Sequence, residues 1–257
     1  MGLCLDSAQC AGCGLCLRAC AYGAIRMEEK RPQIDAGRCV LCGMCVQSCP
    51  KKALFVEHDP CSRRPAEDHS GVWVFAERGG EMLPVALELA GRARLLADRR
   101  GCAVTALLPR GTQAECDALI AAGADRVFLC QSPFLRDRLD GPYAEWVCGL
   151  VRRHRPEILL FGATGFGRSL APRVAARLRV GLTADCTGLD IDPERGLLLQ
   201  TRPAFGGNLM ATIVSPEHRP QMATVRPGVM PAPAPAGART GEIVLTEGPK
   251  TAGAVEI

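Results

Sequence analysis

Glu157-Ile158-Leu159-Leu160-Phe161-Gly162-Ala163-Thr164-Gly165-Phe166-Gly167 decides the fold. Glu157–Gly162 is a short, almost wholly apolar run of strand length, and the glycines after it open a helix over Gly167–Arg179. A strand that passes at once into a helix is half of a βαβ unit. The same alternation runs upstream. Val72–Ala76 fits a buried strand. A helix follows over Leu83–Arg99, with Leu83, Ala86, Leu87, Ala90, Ala93 and Ala97 at steps of three and four. Then come a strand at Ala103–Leu108, a helix at Gln113–Ala122, a strand at Arg126–Cys130 and a helix at Pro142–His154. Asp140 and Gly141 precede that last helix, and Pro142 suits a first helical position. The pattern predicts an α/β domain: a three-layer sandwich whose mostly parallel sheet is covered on both faces.

Downstream of Leu182 the helical pattern stops. Leu182–Asp192, Gly196–Arg202, Met210–Val214 and Gln221–Arg226 read as strands, expected to extend the sheet as an antiparallel edge. The α/β domain is set at residues 71–230. Residues 231–241 form an extended Pro/Ala linker, and 242–257 hold a last strand, Glu242–Thr246, and a short extension.

Towards the N-terminus the character changes. Residues 61–70 are polar and Pro-bounded, a linker, and residues 1–60 are rich in Cys and Gly. Of the fifteen cysteines, eight fall into two runs. Cys10-x2-Cys13-x2-Cys16-x3-Cys20 recurs as Cys39-x2-Cys42-x2-Cys45-x3-Cys49-Pro50, an offset of 29 residues. Secreted disulfides are disfavoured, because no secretory signal opens the chain and the C-x-x-C spacing is regular. Zinc also uses C-x-x-C, but four closely spaced cysteines per run, repeated, favour iron–sulfur. Soft thiolates at the corners of a cubane suit such a cluster, and Gly12, Gly14 and Gly43 let the loops curl around it.

The paired run resembles the established signature of bacterial two-cluster ferredoxins, a small α+β fold with two [4Fe–4S] clusters. The resemblance implies crossed ligation. Cys10, Cys13, Cys16 and Cys49 would hold one cluster; Cys39, Cys42, Cys45 and Cys20 would hold the other. Cys20 is followed by Ala21 where the second run has Pro50, a departure that removes no ligand. Cys4 and Cys61 read as spare thiols. Cys102, Cys116, Cys130, Cys148 and Cys186 read as small core residues in apolar strands or helices.

Composition bounds the rest. Of 257 residues, 47% are hydrophobic and 23% charged, as in ordinary globular chains. The net charge is +4 with no basic stripe, so nucleic acid is not an expected partner. No apolar run spans a membrane, and the cytoplasm is the expected location. His58, His69, His154 and His218 show no metal-ligand spacing, and no nucleophile elbow is present, so no catalytic residue is assigned. The Gly162–Gly167 turn has no Walker A lysine and does not match G-x-G-x-x-G. It reads as a tight strand-to-helix turn without a ligand. Arg202, Arg219 and Arg226 read as structural, and Asp185 as a turn or cap residue.

Longer stretches carry a second resemblance. Phe161–Leu178, Gly181-Leu182-Thr183-Ala184-Asp185-Cys186-Thr187, Thr201-Arg202-Pro203-Ala204-Phe205-Gly206-Gly207-Asn208 and Arg219–Gly228 occur in order. Together they resemble the electron-transfer flavoprotein alpha subunit over about residues 70–257, some members of which carry a ferredoxin-like segment. The resemblance implies a nucleotide-hydrolase-like fold and a beta subunit as partner. It further implies electron traffic between a dehydrogenase, a flavin, and ferredoxin or quinone. The family's FAD-contacting segments, Gln-Val-Gly-Gln-Thr-Gly-like, have no counterpart here. FAD is therefore expected in the complex but not on this chain alone. The expected function is that of an electron carrier and not an enzyme. The alternative is a redox-sensing assembly module that binds a beta-type subunit or nucleotide without passing electrons to a flavin.

Overall fold

The computed structural model describes residues 2–35, 37–57, 68–204, 207, 209–233 and 239–249. Cys61, most of the 61–70 linker, Phe205, Gly206 and Asn208, residues 234–238 of the Pro/Ala linker and residues 250–257 lie outside them. The chain forms two compact units, Met1–Cys61 and Ser62–Ile257.

In the smaller unit β1 (Gly2–Leu5) pairs antiparallel with β4 (Leu54–Glu57). β2 (Ile25–Glu28) and β3 (Arg31–Ile34) form a hairpin. Its two turn residues, Glu29 and Lys30, both have positive φ (47° and 62°), the backbone that a tight twisted hairpin demands. Two short helices, α1 (Leu15–Ala19) and α2 (Met44–Gln47), are each entered through a left-handed glycine, Gly14 or Gly43. The repeat in sequence is thus a repeat in structure. The core is small: Cys16, Ile25, Cys45 and Leu54 are buried, with Leu3, Leu5, Met27, Ile34 and Val46 packed around them.

The larger unit begins with β5 (Val72–Phe75), α3 (Pro84–Arg100), β6 (Val104–Pro109), α4 (Gln113–Ala121) and β7 (Arg126–Cys130). α5 (Asp140–His154), β8 (Ile158–Gly162), α6 (Gly165–Leu178) and β9 (Leu182–Cys186) follow. β10 (Gly188–Ile191), β11 (Leu198–Ala204), β12 (Leu209–Ile213), β13 (Gln221–Val225) and β14 (Glu242–Leu245) complete it. Seven strands form one sheet in the order β14-β7-β6-β5-β8-β13-β9, and every pair is parallel. All residues of β5, β6, β8 and β13 are buried, which is why they read as continuous apolar runs. Val72 and Val74 face α3 and α4, where Leu89, Leu96 and Leu119 pack. Trp73 and Phe75 face α5 and α6, against Trp146, Val147, Leu170 and Val174. These are the three layers of an α/β sandwich.

The antiparallel edge expected after Leu182 does not form. β9 and β13 join the main sheet as parallel strands, while β10, β11 and β12 make a separate antiparallel sheet. The reason is burial: fully buried β13 fits only inside the sheet, between β8 and β9. The chain therefore leaves through β10–β12 and returns. Leu182–Asp192 is accordingly two strands, β9 and β10, parted at Thr187; within β9, Asp185 takes a left-handed φ of 60°. The Asp185 N–H donates to Thr224 Oγ1 at 2.9 Å, and its carboxylate accepts from Arg168 at 3.1 Å. Pro142 sits within the first turn of α5 and not at its first position, since the helix begins at Asp140.

Candidate functional site

The eight motif cysteines are gathered into two sets. One small cavity is walled by Cys10, Cys13, Cys16 and Cys49. The other is walled by Cys20, Cys39, Cys42 and Cys45. Each takes three thiols from one run and the fourth from the other. Local backbone explains the arrangement. The glycines before α1 and α2 turn Cys13 and Cys42 outward, to exposed positions, and lead Cys16 and Cys45 inward, where both are buried. The fourth cysteine of each run is held by the chain beyond it. Ala24 N–H donates to Cys20 Sγ and Ala53 N–H to Cys49 Sγ, each at 3.3 Å.

Electrostatics sense the same grouping. Burial pushes the Cys16 thiol up, and neighbouring Cys13 and Cys10 add to it, against backbone N–H groups that lower it. Burial likewise raises Cys45, with Cys39 and, from the other run, Cys20 adding to it. At Cys49 burial is outweighed by backbone N–H groups of Ala53, Leu54, Lys51 and Lys52, which hold the thiol below its ordinary value. Among the described residues no three His, Cys, Asp or Glu side chains converge as ligands of a single ion would. The thiols instead stand around a space. Four soft sulfurs lining a small cavity fit a polynuclear cluster better than one zinc ion, whose ligands must meet at about 2.3 Å.

Cys4 lies on β1 opposite Phe55, outside the walls of both cavities. Cys116, Cys130, Cys148 and Cys186 are buried, and burial drives Cys148 and Cys186 up to about 11. Cys102 is half-buried in the turn after α3 and not in a strand or helix.

In the larger unit strand order reverses at β5 and β8, where ligands of parallel sheets commonly bind. Here the chain's own side chains occupy the turn. Thr164 Oγ1 accepts from Gly167 N–H at 2.9 Å and donates to Glu77. Glu77, buried just after β5, also pairs with Arg138, whose guanidinium lies 4.8 Å over the Phe166 ring. A Cβ on Gly167 would lie 1.9 Å from Gly162 O, so this glycine serves close packing. Sequence reasoning missed Glu77, although a lone acid ending the Val72–Ala76 run was a signal. Arg219 is buried and donates to three backbone carbonyls, those of Ser215, Pro216 and His218. Arg202 reaches only the carbonyl of its neighbour Pro203. Among the described residues no helix is long and apolar enough to cross a membrane.

A parallel α/β unit and a unit with two crossed sets of four thiols together define a class, an α/β protein with a cysteine-rich module. Comparison with known proteins makes this specific. Residues 72–250 match the electron transfer flavoprotein domain, and residues 9–53 match the 4Fe-4S dicluster domain. The chain belongs to the electron transfer flavoprotein family and carries an N-terminal dicluster domain. It is 51% identical over 179 residues to the electron transfer flavoprotein subunit alpha of Thermoanaerobacterium thermosaccharolyticum, covering 69% of this chain and 54% of that one. With the alpha subunit of Clostridium acetobutylicum identity is 54% over 164 residues, 63% of this chain and 49% of that one. With protein FixB of Rhizobium meliloti it is 45% over 184 residues, 69% and 52%. The chain spans about half the length of the curated relatives it matches.

Proposed function

We propose that this chain is an electron-carrying subunit. Its small unit passes single electrons to or from a flavin held in a complex with an electron-transfer flavoprotein beta subunit. The outer redox partner is a dehydrogenase, ferredoxin or quinone. One observation carries the reading: each cavity is walled by four thiols, crossed between the two runs. Cys10, Cys13, Cys16 and Cys49 hold one [4Fe–4S] cluster, and Cys39, Cys42, Cys45 and Cys20 the other. When bound, the clusters supply one-electron iron chemistry. The chain supplies thiolates, burial, and N–H donors at Cys20 and Cys49. No residue makes or breaks a substrate bond. The names of the relatives support the reading, and one of them is the acryloyl-CoA reductase electron transfer subunit beta of Anaerotignum propionicum. FAD belongs to the complex. Thiolate clusters of this kind call for a reducing compartment, and we place the protein in the cytoplasm.

Anaerobic purification with a beta subunit, followed by iron and sulfide analysis and reductive titration, tests this. About eight irons per chain are expected, with electrons exchanged between the small unit and the flavin. Stoichiometric zinc with iron near zero sinks the cluster assignment. Iron-loaded protein that exchanges no electrons with flavin, yet binds its partner only in one oxidation state, makes it the redox-sensing module instead.

A further inference from the structure

The internal repeat provides its own control. At an offset of 29 residues, Ala24 matches Ala53 and Ile25 matches Leu54, all deeply buried. Gly23 matches Lys52, both left-handed (φ 59° and 52°). The paired N–H to sulfur bonds match as well. Against this shared frame the rims of the two cavities differ. Exposed Tyr22 lines the Cys20–Cys39–Cys42–Cys45 cavity, and its counterpart, exposed Lys51, lines the Cys10–Cys13–Cys16–Cys49 cavity. Among the described residues, Lys51 is the one charged residue lining either cavity. The loops differ in the same sense. Ala11 and Gly12 line the cavity with the lysine, while the larger Val40 and Leu41 line the other.

A cluster gains negative charge on reduction. A nearby cation stabilises the reduced form, whereas apolar walls that replace water destabilise it. Both differences act in one direction. Resting on the two-cluster reading above, we propose that Lys51 makes the Cys10–Cys13–Cys16–Cys49 site the easier of the two to reduce. Tyr22, Val40 and Leu41 keep the other site at lower potential. Lys51 is thus a tuning residue and ligates nothing.

The test is an EPR-monitored redox titration of the anaerobically prepared full chain, after its iron has been counted. The wild type should titrate in two separate waves. Lys51→Tyr should move the upper wave to lower potential by on the order of one decade in the reduction equilibrium, ~59 mV for a one-electron couple. Tyr22→Lys should raise the lower wave, and Lys51→Arg should leave both in place. A fully loaded chain that titrates as a single wave overturns the proposal. So does a Lys51→Tyr chain whose upper wave stays put or whose lower wave moves instead. Iron near zero in the wild type would count against the two-cluster reading itself, and the count made beforehand separates the two failures.

Discussion

Gly12 and Leu41 occupy the same place in two copies of one loop, and both are left-handed (φ 65° and 55°). Only one of them has room for a side chain. A Cβ on Gly12 would lie 2.5 Å from the carbonyl oxygen of Lys30, at the tip of the β2–β3 hairpin. Gly12→Ala should therefore destabilise the small unit by about 1–3 kcal/mol. Leu41→Gly should cost less than about 1 kcal/mol, because relief of the left-handed backbone offsets lost packing. Anaerobic thermal loss of cluster absorbance compares the two. Arg138 offers a second residue-scale check. Removing it leaves the buried Glu77 carboxylate without its countercharge. Because the arginine is itself partly exposed, Arg138→Ala should cost about 2–3 kcal/mol, with partial recovery on adding Glu77→Gln. Urea unfolding followed by fluorescence of Trp73 and Trp146, both in the larger unit, reads this out. At this scale the grouping of the thiols was legible, because the repeated spacing brings the two runs side by side. The Glu77–Arg138 pair was not, since 61 residues separate partners that only the fold brings together.

Among the elements, α3, β6 and the approach to β14 meet at Asp125. Its carboxylate accepts from Arg94 of α3 at 2.7 Å, from the Val104 N–H of β6 at 2.8 Å and from Arg239 at 2.6 Å. Burial alone would raise this carboxyl, but the Val104 N–H and the two arginines outweigh it and hold it below the ordinary aspartate value. A depressed folded value stabilises the protein above the unfolded value of about 3.9. That stability is lost as pH falls through the folded value. Asp125→Asn should thus be less stable near neutrality and show a shallower acid limb below about pH 4, seen in urea midpoints across pH 3–6. The elements themselves were largely legible from β5 to α6, because buried strands and amphipathic helices leave different periods in the sequence. Their neighbours were not. Nothing local in Gln221–Val225 says that it lies between β8 and β9, and nothing in Leu182–Asp192 announces the parting at Thr187 or the left-handed Asp185 within β9.

In the whole molecule the two units have separate cores of very different size. The larger has two apolar layers around a sheet. The smaller buries little beyond Cys16, Ile25, Cys45 and Leu54, too little to hold a fold of its size without added cross-links. Iron should therefore act as part of the small unit's folding energy. Anaerobic chelation should abolish the small unit's calorimetric transition and shift the tryptophan-reported midpoint of the larger unit by less than about 0.5 kcal/mol. A larger shift would mean that the units share stability. The crossing of the thiols also sets an order on biosynthesis. While the chain emerges from the ribosome, Cys10, Cys13 and Cys16 wait for Cys49, and Cys20 waits for the Cys39–Cys45 loop. Neither cavity has its fourth wall until nearly the whole small unit has been made, so on the proposed crossed ligation cluster delivery follows translation of both repeats and does not proceed one repeat at a time.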